Sequence, residues 1–214
     1  MITIIDYQAG NAPSVWNAVT HLGFTAAYAR QPQDIENATH IILPGVGSAK
    51  ATMDSLHQMN LIDALKHAVL RKKTLFLGIC VGMQILFEHS EEDDTKCLGW
   101  LKGHVVKFDN TKVRVPQMGW NQVQFIQNDR CGLRNDFFYF VNSYYAKPED
   151  NTDVWGTAHY NGLFTAAVCR ENIWATQFHT EKSGAAGLAL LKNFLLLDEG
   201  TDDNTSVPGG CSLN

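Results

Sequence analysis

The passage from residue 74 to residue 87 limits most what this chain can fold into. Residues 74–79 form one continuous apolar run, and at Gly78-Ile79-Cys80-Val81-Gly82 the pattern turns to helical periodicity over 81–87. A strand apolar on both faces belongs in the middle of a parallel sheet covered by helices. The first half of the chain repeats the alternation. Residues 2–5 are apolar, and Val15, Ala18, Val19 and Leu22 follow at helical spacing. After the segment 25–29 comes the run 40–43, which stops at Pro44-Gly45-Val46-Gly47-Ser48, where the Ser48 hydroxyl can cap the next helix. Ile62, Leu65 and Val69 then mark a buried helical stripe that Lys72 and Lys73 end. Such a pattern predicts an α/β, doubly wound, mostly parallel sheet flanked by helices.

From about Lys96 the segments 104–108, 122–126, 137–141, 154–160, 164–168 and 173–178 read as strands between turns, so an antiparallel layer is expected on the parallel sheet. The aromatics of 137–145 suit either a buried strand or a docking face. A last helix follows Ser183, with Leu188, Leu191 and Leu195 on one face and Leu190, Phe194 and Leu197 beside it. One domain is expected over 1–198, and the aperiodic tail 199–214 is expected to be disordered. A cysteine stands fourth from the end, but the terminal Asn and the lack of a basic stretch argue against prenylation.

Charge narrows the partners. Only 18% of residues are charged, with a formal net charge of -5 and no basic run, so neither nucleic acid nor an anionic lipid surface is expected. The longest apolar stretch, 75–87, contains Gln84 and two glycines and is too short to span a bilayer. Residues 1–5 meet Asp6 at once without a basic leader, so as the chain stands no secretory signal is expected and the location expected is cytoplasmic. Five cysteines without a CxxC pair fit free thiols rather than a disulfide framework.

Gly78-Ile79-Cys80-Val81-Gly82 has the G-x-nucleophile-x-G form of a strand-to-helix elbow, which pushes its central side chain out at the carboxyl edge of a sheet. A helix N-terminus there favours the thiolate. The other reading is a small buried cysteine between helix-packing glycines. A thiolate needs a base, and His179 ends the run 173–178; if the chain stays extended, His179 and Glu181 project to one side and the carboxylate orients the imidazole. The loop 44–48 reads as an oxyanion hole shared with the N–H of Val81, as a phosphate cradle, or as a plain turn; it lacks the third glycine of GxGxxG and any GK[ST]. No HExxH or Cys/His ligand spacing occurs, so no metal site is expected.

Leu43-Pro44-Gly45, Gly78-Ile79-Cys80-Val81-Gly82-Met83-Gln84 and Phe178-His179-Thr180-Glu181 together resemble the three signatures of the class I (triad) glutamine amidotransferases. Within them, Asp6-Tyr7-Gln8-Ala9-Gly10-Asn11, Pro116-Gln117-Met118-Gly119-Trp120-Asn121 and Tyr139-Phe140-Val141-Asn142-Ser143-Tyr144 are similar to the HisH glutaminases of imidazole glycerol phosphate synthase. The resemblance covers residues 1 to about 197. It implies the amidotransferase (flavodoxin-like) fold, Cys80 as nucleophile, His179 as acid and base, and Glu181 orienting the imidazole. It also implies oxyanion-hole peptides at Val46 and Val81, with the former reorienting on activation. Glutamine would be bound by Gly47, Gln84, Glu92, Ser143 and Tyr144. Met118, Trp120, Asn121, Tyr139 and Lys182 would face a cyclase subunit, HisF, in a heterodimer. The activity implied is release of ammonia and glutamate from L-glutamine without a cofactor, the ammonia passing to the cyclase. There it acts on N'-phosphoribulosyl-formimino aminoimidazole carboxamide ribonucleotide (PRFAR) to give imidazole glycerol phosphate and AICAR, in histidine biosynthesis. Four positions depart from that pattern. Gln8 stands for Gly, Gln117 and Asn142 stand for His residues near the interface, and Thr180 stands for Pro, which frees φ where the triad geometry is set.

Overall fold

A computed structural model describes residues 1–8, 11–126 and 134–197. The tail 199–214, the domain end at 198, Cys131, Cys211 and the Ala9-Gly10 pair lie outside the described residues.

Five strands make the parallel half: β1 (Ile2–Ile5), β2 (Ala26–Ala29), β3 (His40–Gly45), β4 (Leu75–Cys80) and, from the far end of the chain, β13 (Ile173–Thr176). Their order is β2-β1-β3-β4-β13, each pair parallel. β1, β3 and β4 are buried at every position, as their apolar runs require. α1 (Ala12–His21) buries Ala12, Val15, Ala18 and Val19, and α2 (Ala49–Gln58) starts where the Ser48 hydroxyl accepts the N–H of Ala51 at 3.1 Å. The stripe expected around 62–69 lies on α3 (Leu61–Lys66) and a π-helical turn over His67–Arg71. Leu61, Leu65 and Val69 are fully buried there, with Ile62 packed beside them.

After Cys80 the helix is shorter than its periodicity predicts: α4 is only Val81–Gln84. The loop 98–101 takes the carbonyls that would continue it, since Leu98, Trp100 and Gly99 donate to Ile85, Leu86 and Phe87 at 2.8–2.9 Å. Tertiary pairing outcompetes the local pattern here.

The remaining strands, β5 (His89–Ser90), β6 (Thr95–Lys96), β7 (Gly103–Lys107), β8 (Gln117–Phe125), β9 (Asp136–Asn142), β10 (Tyr144–Pro148), β11 (Val154–His159) and β12 (Leu163–Arg170), extend the sheet. The expected antiparallel layer joins through β12, which is antiparallel to β13 and β10 along one side and to β11 along the other. From β11 it continues antiparallel through β8 to β9. β8 begins well before residue 122 and so includes the segment 117–121. α5 (Gly184–Leu195) is the last element among the described residues and buries Leu190, Leu191, Phe194 and Leu195. Along β9 the aromatics divide by face. Phe138 and Phe140 are buried against Phe178, with ring centroids at 4.2 and 5.6 Å, whereas Phe137 is exposed. The buried-strand reading holds for the inward face, and Phe137 lies on the outward one.

Candidate active site

β4 delivers Cys80 to the carboxyl edge of the sheet, the edge where ligands bind in open α/β folds. Its backbone sits at φ 55°, ψ -108°, a conformation costly to any residue with a Cβ and characteristic of a nucleophile elbow. Crowding explains why glycines flank it. A Cβ on Gly78 would stand 2.6 Å from the Gly82 carbonyl oxygen, one on Gly45 would stand 2.6 Å from the Gly82 nitrogen, and one on Gly82 would overlap the Leu43 carbonyl. Beyond β3, Gly47 takes φ +92° and carries the loop over the cysteine.

Cys80, Val46, Gly47, Val81, Gln84 and His179 line one cleft of about 280 Å³. Glu92, Ser143, Tyr144 and Lys182 also line it, so every residue expected to bind glutamine or form the oxyanion hole borders the same space. Two of these side chains are already engaged: Glu92 accepts the N–H of Ala49 at 2.7 Å, and Gln84 donates to the Tyr144 carbonyl at 3.1 Å. Burial, only partly offset by the Ala49 bond, holds the Glu92 carboxyl above its ordinary range.

His179 Nδ1 lies 2.9 Å from Glu181 Oε1, and the same oxygen accepts from Asn11 Nδ2 at 2.8 Å. The contact is made differently from the extended chain expected: residues Thr180–Lys182 form a 3-10 turn, which folds the carboxylate back under the ring. Burial disfavours the imidazolium, but hydrogen bonds and charge from Cys80 and Glu181 outweigh it and push the His179 pKa up to about 10. Glu181 is held below its ordinary value, because the bonds to His179 and Asn11 outweigh the cost of burying it. Once His179 holds a proton between the Cys80 sulfur and the Glu181 carboxylate, it is thus stabilised as the imidazolium and gives that proton up only as pH rises through about 10. Cys80→Ala removes the sulfur's share of that stabilisation and leaves the burial, so ring deprotonation, followed by 15N NMR, is expected at lower pH; an unchanged titration would show that Cys80 does not act on the ring.

Thr180 takes the place of the expected Pro without disturbing this geometry. It is the first residue of the turn, where Pro is tolerated, and His179 before it is extended (φ -86°, ψ 103°), as a residue preceding Pro prefers. Its hydroxyl is buried without a hydrogen-bond partner. Thr180→Pro is thus expected to stabilise by about 0.5–1 kcal/mol, read as a rise in urea midpoint, with glutamine turnover unchanged; a loss of stability would show that the turn needs the Thr180 N–H.

Gln117 and Asn142 are not on the surface. They are buried, and they stand opposite each other across the β8–β9 ladder, so the two departures form one cross-strand pair, of which Asn142 also borders the cleft. Of the residues expected to face a partner, Met118 and Trp120 are exposed by 66% and 56%. Trp120 meets the half-buried Tyr139 ring edge-on at 5.9 Å. Asn121 is half-buried and donates to the His159 carbonyl at 3.0 Å, and Lys182 is exposed at the mouth of the cleft. The buried Ser183 ties this face to the site. Its hydroxyl accepts from Tyr139 N at 2.9 Å and donates to the His179 carbonyl at 2.6 Å. Sequence pattern alone does not reveal Ser183 or Asn11, because neither motif spacing nor periodicity links them to His179 and Glu181.

The class-I glutamine amidotransferase family profile matches residues 3–197. The chain belongs to that family. It is 44% identical over 204 residues to "Imidazole glycerol phosphate synthase subunit HisH" of Leptospira interrogans, covering 92% of this chain and all of that one. It is 43% identical to "Imidazole glycerol phosphate synthase subunit HisH 2" of Methanococcus maripaludis, over 91% and 98% of the two chains. Among solved structures, a glutamine amidotransferase superposes with a TM-score of 0.74 over 91% of this chain and 96% of that one, at 19% identity. PurLQS of Thermotoga maritima gives 0.69 over 91% and 96%, at 17%. At those identities the likeness is one of fold, and the fold is the amidotransferase one. No described helix is long and apolar enough to cross a membrane.

Proposed function

We propose that this amidotransferase is the glutaminase subunit of an imidazole glycerol phosphate synthase, hydrolysing L-glutamine at Cys80 and passing ammonia to a HisF-type cyclase. The observation that carries the chemistry is the cleft in which Cys80, at the elbow, meets a His179 whose ring is held by Glu181 at 2.9 Å. The match to HisH subunits over more than nine-tenths of the chain supports the choice of acceptor.

In this reading His179 takes the Cys80 proton, and the sulfur attacks the side-chain amide carbon of glutamine. The N–H groups of Val46 and Val81 hold the developing oxyanion. As the tetrahedral adduct collapses, the C–N bond breaks and His179 gives its proton to the leaving nitrogen, releasing ammonia and leaving a γ-glutamyl thioester. Water, deprotonated by His179, attacks the thioester; the C–S bond breaks, glutamate leaves and the thiol is restored. Glu181 and Asn11 keep the ring in the tautomer this cycle needs. Gly47, Gln84, Glu92, Ser143 and Tyr144 form the glutamine pocket. Free ammonia would be protonated or lost to solvent, so release beside an acceptor subunit is chemically sensible. Met118, Trp120, Asn121, Tyr139 and Lys182 are the face assigned to that heterodimer. The exposed aromatic and methionine side chains of β8 suit the apolar centre of an interface. A cytosolic location belongs to the same reading.

Glutamate release by the purified chain, alone and with a HisF-type cyclase plus PRFAR, tests it. Turnover that rises strongly only with cyclase and ligand is expected. No glutamate under any condition would overturn the glutaminase reading, and turnover indifferent to the cyclase would overturn the choice of partner.

A further inference from the structure

Gln177, which follows β13 directly, is fully buried and has no part in the cycle above. Its backbone N–H is spent on the Ala166 carbonyl at 2.8 Å, so its placement is fixed by the sheet. Its side chain reaches toward the elbow. Nε2 stands 3.6 Å from Cys80 Sγ, and Oε1 accepts from Gln84 Nε2 at 3.0 Å.

The direction of this amide is dictated by a group that cannot flip. The Tyr144 carbonyl is an acceptor only, and Gln84 Nε2 points at it at 3.1 Å. The second proton of that nitrogen needs an acceptor, which Gln177 Oε1 provides. Turning Gln177 over would set its NH2 against the NH2 of Gln84, two donors face to face in a buried site. Turning both over would set the Gln84 oxygen against the Tyr144 carbonyl. A single arrangement satisfies the chain of bonds from Tyr144 to Gln84 to Gln177, and it leaves an N–H of Gln177 directed at the sulfur.

We propose that Gln177 is a positioning residue for the nucleophile: its side-chain N–H holds the Cys80 sulfur and stabilises it as an anion, oriented by Gln84. The inference rests on the reading of Cys80 as nucleophile. A thiolate at a site 4% exposed has little water to solvate it, and α4, at four residues, offers only a short row of backbone donors. A neutral amide donor beside it favours the anion without adding a cation that would compete with His179. Because Tyr144 lines the cleft and anchors the chain of bonds, the donor is set from the same wall that would touch glutamine.

Two substitutions separate the donor from mere packing. Gln177→Glu keeps an acceptor for Gln84, loses the donor and places a carboxylate against the sulfur; Gln177→Met is similar in length and carries no N–H. The readout is the pH profile of Cys80 alkylation by iodoacetamide, followed by mass spectrometry of the Cys80 peptide so that other thiols do not interfere. Gln177→Met is expected to move the profile to higher pH by about one unit, equivalent to about tenfold less thiolate at a given pH, and Gln177→Glu to move it further. The kcat for glutamine should fall about tenfold in Gln177→Met while KM stays within about twofold. A purely structural role would lower the melting temperature and leave the alkylation profile in place. Folded variants whose profiles overlay the wild type overturn the proposal. Should neither variant fold, the wild type decides it: a Gln177 side-chain amide proton is expected further downfield than in Cys80→Ala, and equal shifts overturn the proposal. Alkylation needs no glutamine turnover. A wild type that fails to release glutamate therefore counts against the proposed function, and an unmoved profile counts against Gln177.

Discussion

Cys80→Ala is expected to stop glutamate release, with or without a cyclase, by at least ~10⁴-fold in kcat, the scale seen when a covalent nucleophile is removed from a triad. The loss should be catalytic and not structural. Alanine retains the Cβ that already tolerates φ 55° at the elbow, and the sulfur's contacts to the Val141 carbonyl and from Gln177 are long, at 3.9 and 3.6 Å. The urea midpoint should therefore stay close to that of the wild type. His179→Ala is expected to cost nearly as much, and the double variant no more than either single one, because the two groups act as a unit. A coupled assay for glutamate measures all three. Turnover by Cys80→Ala within about 100-fold of the wild type would mean that water attacks glutamine directly, and the covalent route would have to be abandoned.

The parallel half of the sheet and the elbow were legible because buried parallel strands need apolar side chains on both faces, and β1, β3 and β4 carry little else besides Thr3 and His40. β10 was not legible. Its sequence Tyr144–Pro148 includes a lysine and a proline, and only Ala146 is buried, so its place comes from pairing with β7 and not from its own pattern. The start of β8 was hidden for a related reason, since the outward side chains of Met118 and Trp120 blur an inward and outward alternation. The His179–Glu181 contact was anticipated, but the turn that makes it was not: residues 180–182 carry no periodicity long enough to distinguish a 3-10 turn from a continuing strand. The bonds that finish the site, Asn11 to Glu181 across 170 positions and Ser183 to Tyr139 across 44, join elements that only the folded topology brings together. Gln117 and Asn142 show the same limit. The resemblance set them near the interface as two separate departures, but that they face each other on the inward side of the pleat follows only from the β8–β9 register.

Gly82→Ala is expected to be the structural counterpart of Cys80→Ala, because the obstacle is backbone and not a flexible side chain. The added methyl would overlap the Leu43 carbonyl oxygen, and that strand cannot retreat: β3 is paired residue for residue with β4 through Leu43↔Gly78, Pro44↔Ile79 and Gly45↔Cys80. Nor can α4 lift away freely, since the carbonyls just beyond it are held by the 98–101 loop. Relief must come from displacing the elbow itself, which moves Cys80 relative to a His179 fixed by Ser183 and Glu181. The expected cost is about 3 kcal/mol, at the upper end for overpacking a tight site, and about 6–12 °C in melting temperature for a chain of this length. Any protein that still folds should alkylate at Cys80 but turn over glutamine at least ~100-fold more slowly, because a 1 Å misplacement is enough for such a loss. Gly23→Ala separates crowding from backbone strain: Gly23 sits at φ +86° with nothing within 4 Å of a Cβ, so it carries only the conformational penalty of about 1–2 kcal/mol and should leave kcat intact. If Gly82→Ala proves no more harmful than Gly23→Ala in urea unfolding, the elbow is not held by this contact, and the three glycines at 45, 78 and 82 do not form the interlocked turn described above.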